Sequence, residues 1–220
     1  MGAASGLSDG CQKLCQHTLA TRQTNRSRAK EITLLNNKRK LPDFLLVTDE
    51  TRFPNPLPIL ETLPRSSGVV FRHYRHPQRE ELAESVAALC RRRRLILLVA
   101  NDVPLALRVR AQGVHLPQWR WEGSSVRRPF DEFRITGSVH SPGALARASR
   151  SGMDAVMLSP VFATDSHPRA EALGAARASA WARLWGRGIP VYALGGVDDK
   201  GRRRLRGGCW AGTAATRWRG

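Results

Sequence analysis

The feature that most constrains the fold is a regular alternation of short apolar runs with stretches of helical periodicity, which begins after Pro42. Eight apolar runs recur, at residues 44–47, 68–71, 95–100, 113–116, 134–139, 155–158, 191–194 and 209–214. Amphipathic stretches separate them, as at 79–91, 103–111, 142–151 and 175–185. Continuous apolar strands separated by helices indicate a parallel sheet that is covered on both faces.

Eight such strands favour an α/β fold of the closed (β/α)8 type, a TIM barrel, over residues 42–220. An open doubly wound sheet is the alternative, but no glycine-rich dinucleotide fingerprint follows the first strand. The predicted barrel is compact for this fold. Only residues 215–220 follow the eighth strand, so the final helix is predicted to be missing.

Residues 1–41 differ from the rest, being polar and basic with little periodicity. We predict a disordered leader there, with a transit peptide as the alternative. The formal charge of +18 raises the possibility of nucleic-acid binding. However, no stretch interleaves basic with aromatic residues. No apolar run reaches membrane length, and the four cysteines do not have zinc spacing. We therefore expect a cytoplasmic protein that binds neither nucleic acid nor membranes.

Polar residues follow most of the predicted strands, at the end where barrel enzymes place their active sites. Arg72 follows the second strand, and Asn101 and Asp102 follow the third. Such an Asn-Asp pair also suits a helix cap. After the seventh strand, Gly195 and Gly196 suit either a plain turn or a close approach of the backbone to a phosphate.

Four segments carry a family resemblance: VTDE at 47–50, VANDVPLALRVRAQGVHLPQ at 99–118, GSVHSPGALARASRSGMDAVMLSPVFATDSHP at 137–168 and PVYALGGV at 190–197. In order and spacing they resemble the thiamine phosphate synthase and thiazole tautomerase family over nearly all of 42–215. The resemblance implies a TIM barrel. It also implies a transferase of thiamine biosynthesis that joins hydroxymethylpyrimidine diphosphate to thiazole phosphate and releases pyrophosphate.

The resemblance also implies roles for individual residues. On the diphosphate side, Arg72, Asn101 and Ser138 match family positions that contact the substrate, and Asp102 matches a ligand of Mg²⁺, the implied cofactor. On the thiazole side, the family's Thr-x-Thr pair falls on Thr164 and Ser166. The glycines that hold the thiazole phosphate fall on Gly195 and Gly196, so the implied partners are phosphorylated pyrimidine and thiazole molecules.

The sequence departs from the family at four positions. Arg120 stands where the family has a second magnesium-binding Asp, and His167 stands where a Lys follows the Thr-x-Thr pair. Val70 and Tyr74 replace the Gln and Lys of the second-strand pattern, in a register that is open by one residue. Replacing an Asp with Arg reverses the local charge, although an arginine can itself neutralise a phosphate.

Two alternatives to the transferase stay open. The SVHS stretch around His140 is similar to the tautomerase branch, in which a histidine moves protons. The candidate catalytic residues are accordingly Ser138, His140 and His167. The other alternative is a barrel that binds a phosphorylated ligand without turnover. The sequence does not predict an oligomeric state.

Overall fold

The eight apolar runs become the eight strands of one closed parallel barrel, in which each strand pairs with its sequence neighbours and β8 pairs with β1. The computed structural model describes residues 40–123, 127–164, 171–205 and 209–216. The strands are β1 (Phe44–Val47), β2 (Gly68–Phe71), β3 (Ile96–Ala100), β4 (Gly113–Leu116), β5 (Arg134–Val139), β6 (Ala155–Leu158), β7 (Val191–Ala193) and β8 (Gly212–Ala215). The predicted barrel is confirmed, and the open sheet is excluded.

Seven helices lie between the strands in the described part of the chain. They are α1 (Leu57–Thr62), α2 (Arg79–Arg93), α3 (Val103–Arg108), α4 (Gln118–Trp121), α5 (Pro142–Ala148), α6 (Gly174–Trp185) and α7 (Asp199–Arg204). No helix within these described residues is long and apolar enough to cross a membrane.

The strand sequences are continuous apolar runs because the two faces of the sheet pack into two different hydrophobic clusters. Inward-facing side chains fill the barrel interior, among them Leu45 and Val47 from β1, Met157 from β6 and Tyr192 from β7. Outward-facing side chains alternate with them and pack against the helices, as Leu46 does at 0% exposure. Because successive side chains point to opposite faces, burial on both sides leaves no polar alternation in the sequence.

The eighth strand begins later than the apolar run predicted. Cys209 and Trp210 belong to the predicted run 209–214 but contact α6 instead, where the Cys209 thiol and the Trp210 indole lie against Ser179. The strand begins at Gly212, whose backbone runs so close to Asp43 that an added Cβ would lie 2.2 Å from its carbonyl oxygen. The predicted run 209–214 therefore contains residues that pack against a helix as well as residues of the strand.

Two other expectations fall partly outside the described residues. The chain divides into units of Met1–Lys40 and Leu41–Gly220, and the barrel lies in the second. Residues 1–39 are outside the described ranges, so the disordered leader stays a prediction. Thr216 follows β8, and residues 217–220 are likewise undescribed, so the missing final helix also stays a prediction.

Candidate active site

The carboxyl ends of the strands surround a cavity of about 300 Å³, which is at the small end of the usual range for ligand sites. Five of the residues predicted from the sequence line this cavity: Arg72, Ser138, His140, Thr164 and Gly195. They come from four separate strand ends and are up to 123 positions apart in the chain (195 − 72). The barrel therefore brings together groups that the sequence only places in order.

Arg72 supplies a positive charge to the cavity wall, and it is paired with Asp49 from the end of β1. Its Nη2 donates to Asp49 Oδ2 at 2.5 Å, and both side chains are about one-quarter exposed or less. Burial opposes ionisation of Asp49. Arg72 and the backbone N–H groups of Arg52 and Thr51 more than offset it, so the pKa of Asp49 lies below its usual value. The carboxylate is therefore charged and shares the arginine with any bound anion.

The geometry of β2 shows which side chains of this segment face the barrel interior. Val70 belongs to the interior core, and Arg72 and Tyr74 both line the cavity. Phe71 and His73 lie on the other face, with their rings stacked at 5.0 Å. Val70, Arg72 and Tyr74 therefore face inward, and their correspondence to the family's Gln, Arg and Lys stays a prediction.

His115 on β4 forms the most buried polar contact of the cavity. Its Nδ1 lies 2.9 Å from Thr136 Oγ1, and its Nε2 lies 2.9 Å from Ser138 Oγ. Thr136 and Ser138 are two residues apart on β5 and so face the same side. Burial, with smaller contributions from the charges of Arg72 and His140, lowers the pKa of His115 to about 4, so the ring is neutral at physiological pH.

His140 is exposed at the cavity rim, with one nitrogen committed to a backbone oxygen. Its Nδ1 lies 2.9 Å from the carbonyl oxygen of Ser159. Because a carbonyl only accepts, the proton of the neutral ring lies on Nδ1 and the lone pair on Nε2. The backbone N–H of His140 donates to Gln118 Oε1 at 2.9 Å, which holds the residue to the start of α4.

Gly195 and Gly196 both adopt the left-handed region, with φ of 92° and 60°. An added Cβ would lie 3.0 Å from the Pro160 Cα at Gly195 and 2.2 Å from the Ala163 carbonyl oxygen at Gly196. Their lack of side chains is thus required by the turn and by the neighbouring loop after β6. Phosphate binding there is compatible with this geometry but is not needed to explain the glycines.

Asn101 and Asp102 lie at the end of β3, outside the residues that line the cavity. Asp102 Oδ1 accepts from the backbone N–H of Leu105 at 2.9 Å and caps α3, and Oδ2 accepts from Arg79. Asn101 has φ of 56°, and its buried side-chain oxygen has no hydrogen-bond partner among the described residues. Asp102 therefore has a structural role, whereas Asn101 keeps an unused acceptor beside the barrel mouth.

The residues present do not fit the magnesium ion that the family resemblance implies. Asp102 accepts from the backbone N–H of Leu105 and is paired with Arg79, so a guanidinium already balances its charge. Arg120, at the family's second ligand position, is exposed and carries the wrong charge for a cation site. Within the described ranges no group of three His, Cys, Asp or Glu side chains could hold a metal ion.

Several residues of this region were missed from the sequence. Thr216 after β8 lines the cavity and accepts from Arg52 Nη1 at 2.6 Å, and Met157 and Leu194 form apolar wall. Their types occur throughout any barrel, so no sequence signal distinguishes them. Ser166 and His167, which the sequence predicted, lie outside the described residues.

Comparisons with known proteins agree on one family. A sequence model of the thiamine monophosphate synthase family matches residues 45–216. The putative thiamine-phosphate synthase 2 of Aquifex aeolicus is 33% identical over 165 residues, which are 72% of this chain and 87% of that protein. The thiamine-phosphate synthase of Bacillus velezensis is 30% identical over 52% of this chain and 51% of its own length.

The chain thus spans about half the length of some curated relatives that it matches, including one from Parasynechococcus marenigrum, at 48%. Among solved structures, the thiamine phosphate pyrophosphorylase of Pyrococcus furiosus superposes with a TM-score of 0.62 at 24% identity. That match covers 82% of this chain and 86% of the other, and it supports the fold. Fold, motif order and sequence similarity over the whole barrel lead to one conclusion: the chain belongs to the thiamine monophosphate synthase family.

Proposed function

We propose that this protein is a divergent thiamine phosphate synthase, a transferase that joins hydroxymethylpyrimidine diphosphate to thiazole phosphate with release of pyrophosphate. The single observation that carries the proposal is the convergence of Arg72, Ser138, Thr164 and Gly195 on one cavity at the carboxyl ends of the strands. By the family resemblance, these positions correspond in chain order to substrate-binding residues. Family membership supports the same reaction.

The reaction breaks the C–O bond between the pyrimidine methylene and the diphosphate, and forms a C–N bond to the thiazole nitrogen. Negative charge accumulates on the departing pyrophosphate. Groups that bind this charge more strongly in the transition state than in the substrate accelerate the step. Arg72 is a charged group at the cavity wall, and the Ser138 hydroxyl of the same wall is a candidate donor. Met157 and Leu194 supply an apolar part of the wall, which would limit the approach of water to the reactive carbon.

Replacing Arg72 tests this assignment. We expect Arg72→Met to lower kcat for thiamine phosphate formation by about 100-fold, because the pyrophosphate loses its charged partner. The measurement is formation of thiamine phosphate and pyrophosphate from the two purified substrates. Arg92→Met is the matched control, because Arg92 is an exposed arginine that pairs with Glu61 and does not line the cavity. Wild-type protein that is folded and forms no thiamine phosphate would exclude the transferase.

A second function, thiazole tautomerisation, is favoured by the geometry of His140. Its lone pair lies on Nε2 at the rim of the cavity, so it can accept a proton from a bound thiazole. Conversion of a thiazole carboxylate phosphate tautomer without any diphosphate substrate, lost in His140→Gln, would support this function. The absence of such conversion in protein that forms thiamine phosphate would exclude it.

A further inference from the structure

The contacts of His115 have two possible proton arrangements, and the choice between them decides what Ser138 presents to a ligand. The neutral imidazole has one N–H and one lone pair, and its two nitrogens lie 2.9 Å from Thr136 Oγ1 and Ser138 Oγ. If the proton is on Nδ1, Ser138 donates to Nε2. If the proton is on Nε2, the ring donates to Ser138, whose own hydroxyl proton is then available to the cavity.

Thr136 selects the first arrangement in the absence of a ligand. Its Oγ1 lies 3.3 Å from the carbonyl oxygen of Val114, which can only accept. When the Thr136 hydroxyl donates to that carbonyl, its oxygen accepts from Nδ1–H of His115, and all three partners are satisfied. Ser138 then donates to Nε2, and it turns only oxygen lone pairs toward the cavity.

A bound anion reverses this preference. Lone pairs on Ser138 repel a phosphate oxygen, whereas a hydroxyl proton forms a charge-assisted hydrogen bond, about twice as strong as a neutral one. We expect this gain to exceed the loss of the 3.3 Å contact between Thr136 and Val114, which joins two neutral groups. Both arrangements keep one proton on the ring, one on Thr136 and one on Ser138, so the exchange takes up no proton.

We propose that His115 is a positioning residue whose ring exchanges tautomers when an anion enters the cavity, changing Ser138 from a donor to the imidazole into a donor to the anion. His115 itself does not contact the anion in this scheme. The proposal rests on the proposed function only in taking the ligand to be phosphorylated.

The direct test is the tautomer of His115, read by long-range ¹⁵N–¹H NMR correlation on the full chain with ¹⁵N-labelled histidine. In the free protein we expect the proton on Nδ1. With saturating inorganic pyrophosphate we expect it on Nε2. An unchanged tautomer in the complex, a cationic ring in either state, or failure of pyrophosphate to bind would each overturn the proposal.

Thr136→Val provides the second test, because it removes the hydroxyl that selects the first arrangement while keeping the shape of the side chain. We expect the free variant to carry the proton on Nε2 already, and to bind pyrophosphate about fivefold more tightly by calorimetry, since one neutral hydrogen bond no longer opposes the exchange. Thr62→Val, an exposed threonine on α1, is the matched control and should change neither quantity. An Nδ1 proton or weaker binding in Thr136→Val would contradict the scheme.

These measurements separate the proposal from the function that it deepens. Neither test needs turnover. A ring that changes tautomer in protein that forms no thiamine phosphate would keep this proposal and exclude the transferase. Turnover with an unchanged ring would keep the transferase and exclude this proposal.

Discussion

At the scale of the residue, one ion pair at the cavity wall lies within the described part of the chain, between Arg72 and Asp49. The two oxygens of Asp49 have separate partners: Oδ1 accepts from the backbone N–H groups of Thr51 and Arg52, and Oδ2 accepts from Arg72. The carboxylate therefore holds the turn after β1 and also holds the arginine at the wall. An incoming phosphate must compete with it for the same guanidinium.

Asp49→Asn separates these two roles, because the amide oxygen can still accept from the turn while the second oxygen is lost. We expect this variant to bind inorganic pyrophosphate about fivefold more tightly, since the competing charge is removed. The gain should shrink at high salt, where charge interactions are screened. Calorimetric titration at two ionic strengths measures both effects. Equal or weaker binding at low salt would show that Asp49 does not compete with the ligand.

At the scale of the element, helix capping explains a residue that the sequence predicted to be functional. Asp102 caps α3 by accepting from Leu105 N–H, and Ser141 caps α5 by accepting from Ala144 N–H in the same geometry. Both caps precede a proline in the first turn of the helix. The sequence named capping as one reading of Asn101-Asp102, and for Asp102 this is what the structure shows.

The structural role of Asp102 predicts its response to mutation and to metal. We expect Asp102→Ala to lower the free energy of unfolding by about 1–2 kcal/mol, and the control Ser141→Ala by about 1 kcal/mol. Mg²⁺ should not change the melting temperature of the wild type, because the charge of Asp102 is already balanced by Arg79. Denaturant and thermal unfolding measure these quantities. A rise in Tm with Mg²⁺ that Asp102→Asn abolishes would instead assign a metal to this residue.

The elements differ in how well the sequence predicts them. Barrel strands are buried on both faces, so the bounds of β1, β2, β4, β5 and β6 coincide with apolar runs. The helices α1 and α4 are six and four residues long, too short for a repeat of helical period. The basic α7, Asp199–Arg204, has no apolar face and was not predicted. Tertiary contacts hold these short helices, since helices of this length are unstable alone.

At the scale of the whole molecule, closing the barrel removes histidines from water. His115 is buried among strand ends, and His73 is buried between β1 and the following loop, where Thr48 Oγ1 and the Phe53 carbonyl oxygen lie 3.0 Å and 2.7 Å from its ring nitrogens. Burial lowers the pKa of His73, although the Phe53 carbonyl and nearby carboxylates oppose it. Both imidazole rings are therefore neutral in the folded protein at physiological pH.

A neutral buried histidine makes stability depend on pH. Its pKa is lower in the folded than in the unfolded chain, so below pH 6.5 the unfolded chain binds more protons and stability declines. For His115 the decline runs from 6.5 to about 4 and amounts to about 3 kcal/mol in full. We expect His115→Asn to flatten the dependence of the unfolding free energy on pH across this window, as measured by denaturant titration. An equal slope in the variant would show that His115 does not remain neutral in the fold.

The sequence by itself determined the strand–helix order, the closed barrel and the family. Strands that are buried on both faces appear as continuous apolar runs, and the order of the motifs can be recognised directly in the sequence. It also named Arg72, Ser138, His140, Thr164 and Gly195, which the barrel gathers at one cavity. The tertiary structure decided which side chains form hydrogen bonds with each other: Arg72 with Asp49, His115 with Ser138, and Arg79 with Asp102. Hydrogen bonds between residues 20 or more positions apart depend on strand register and side-chain direction, and a local pattern carries neither.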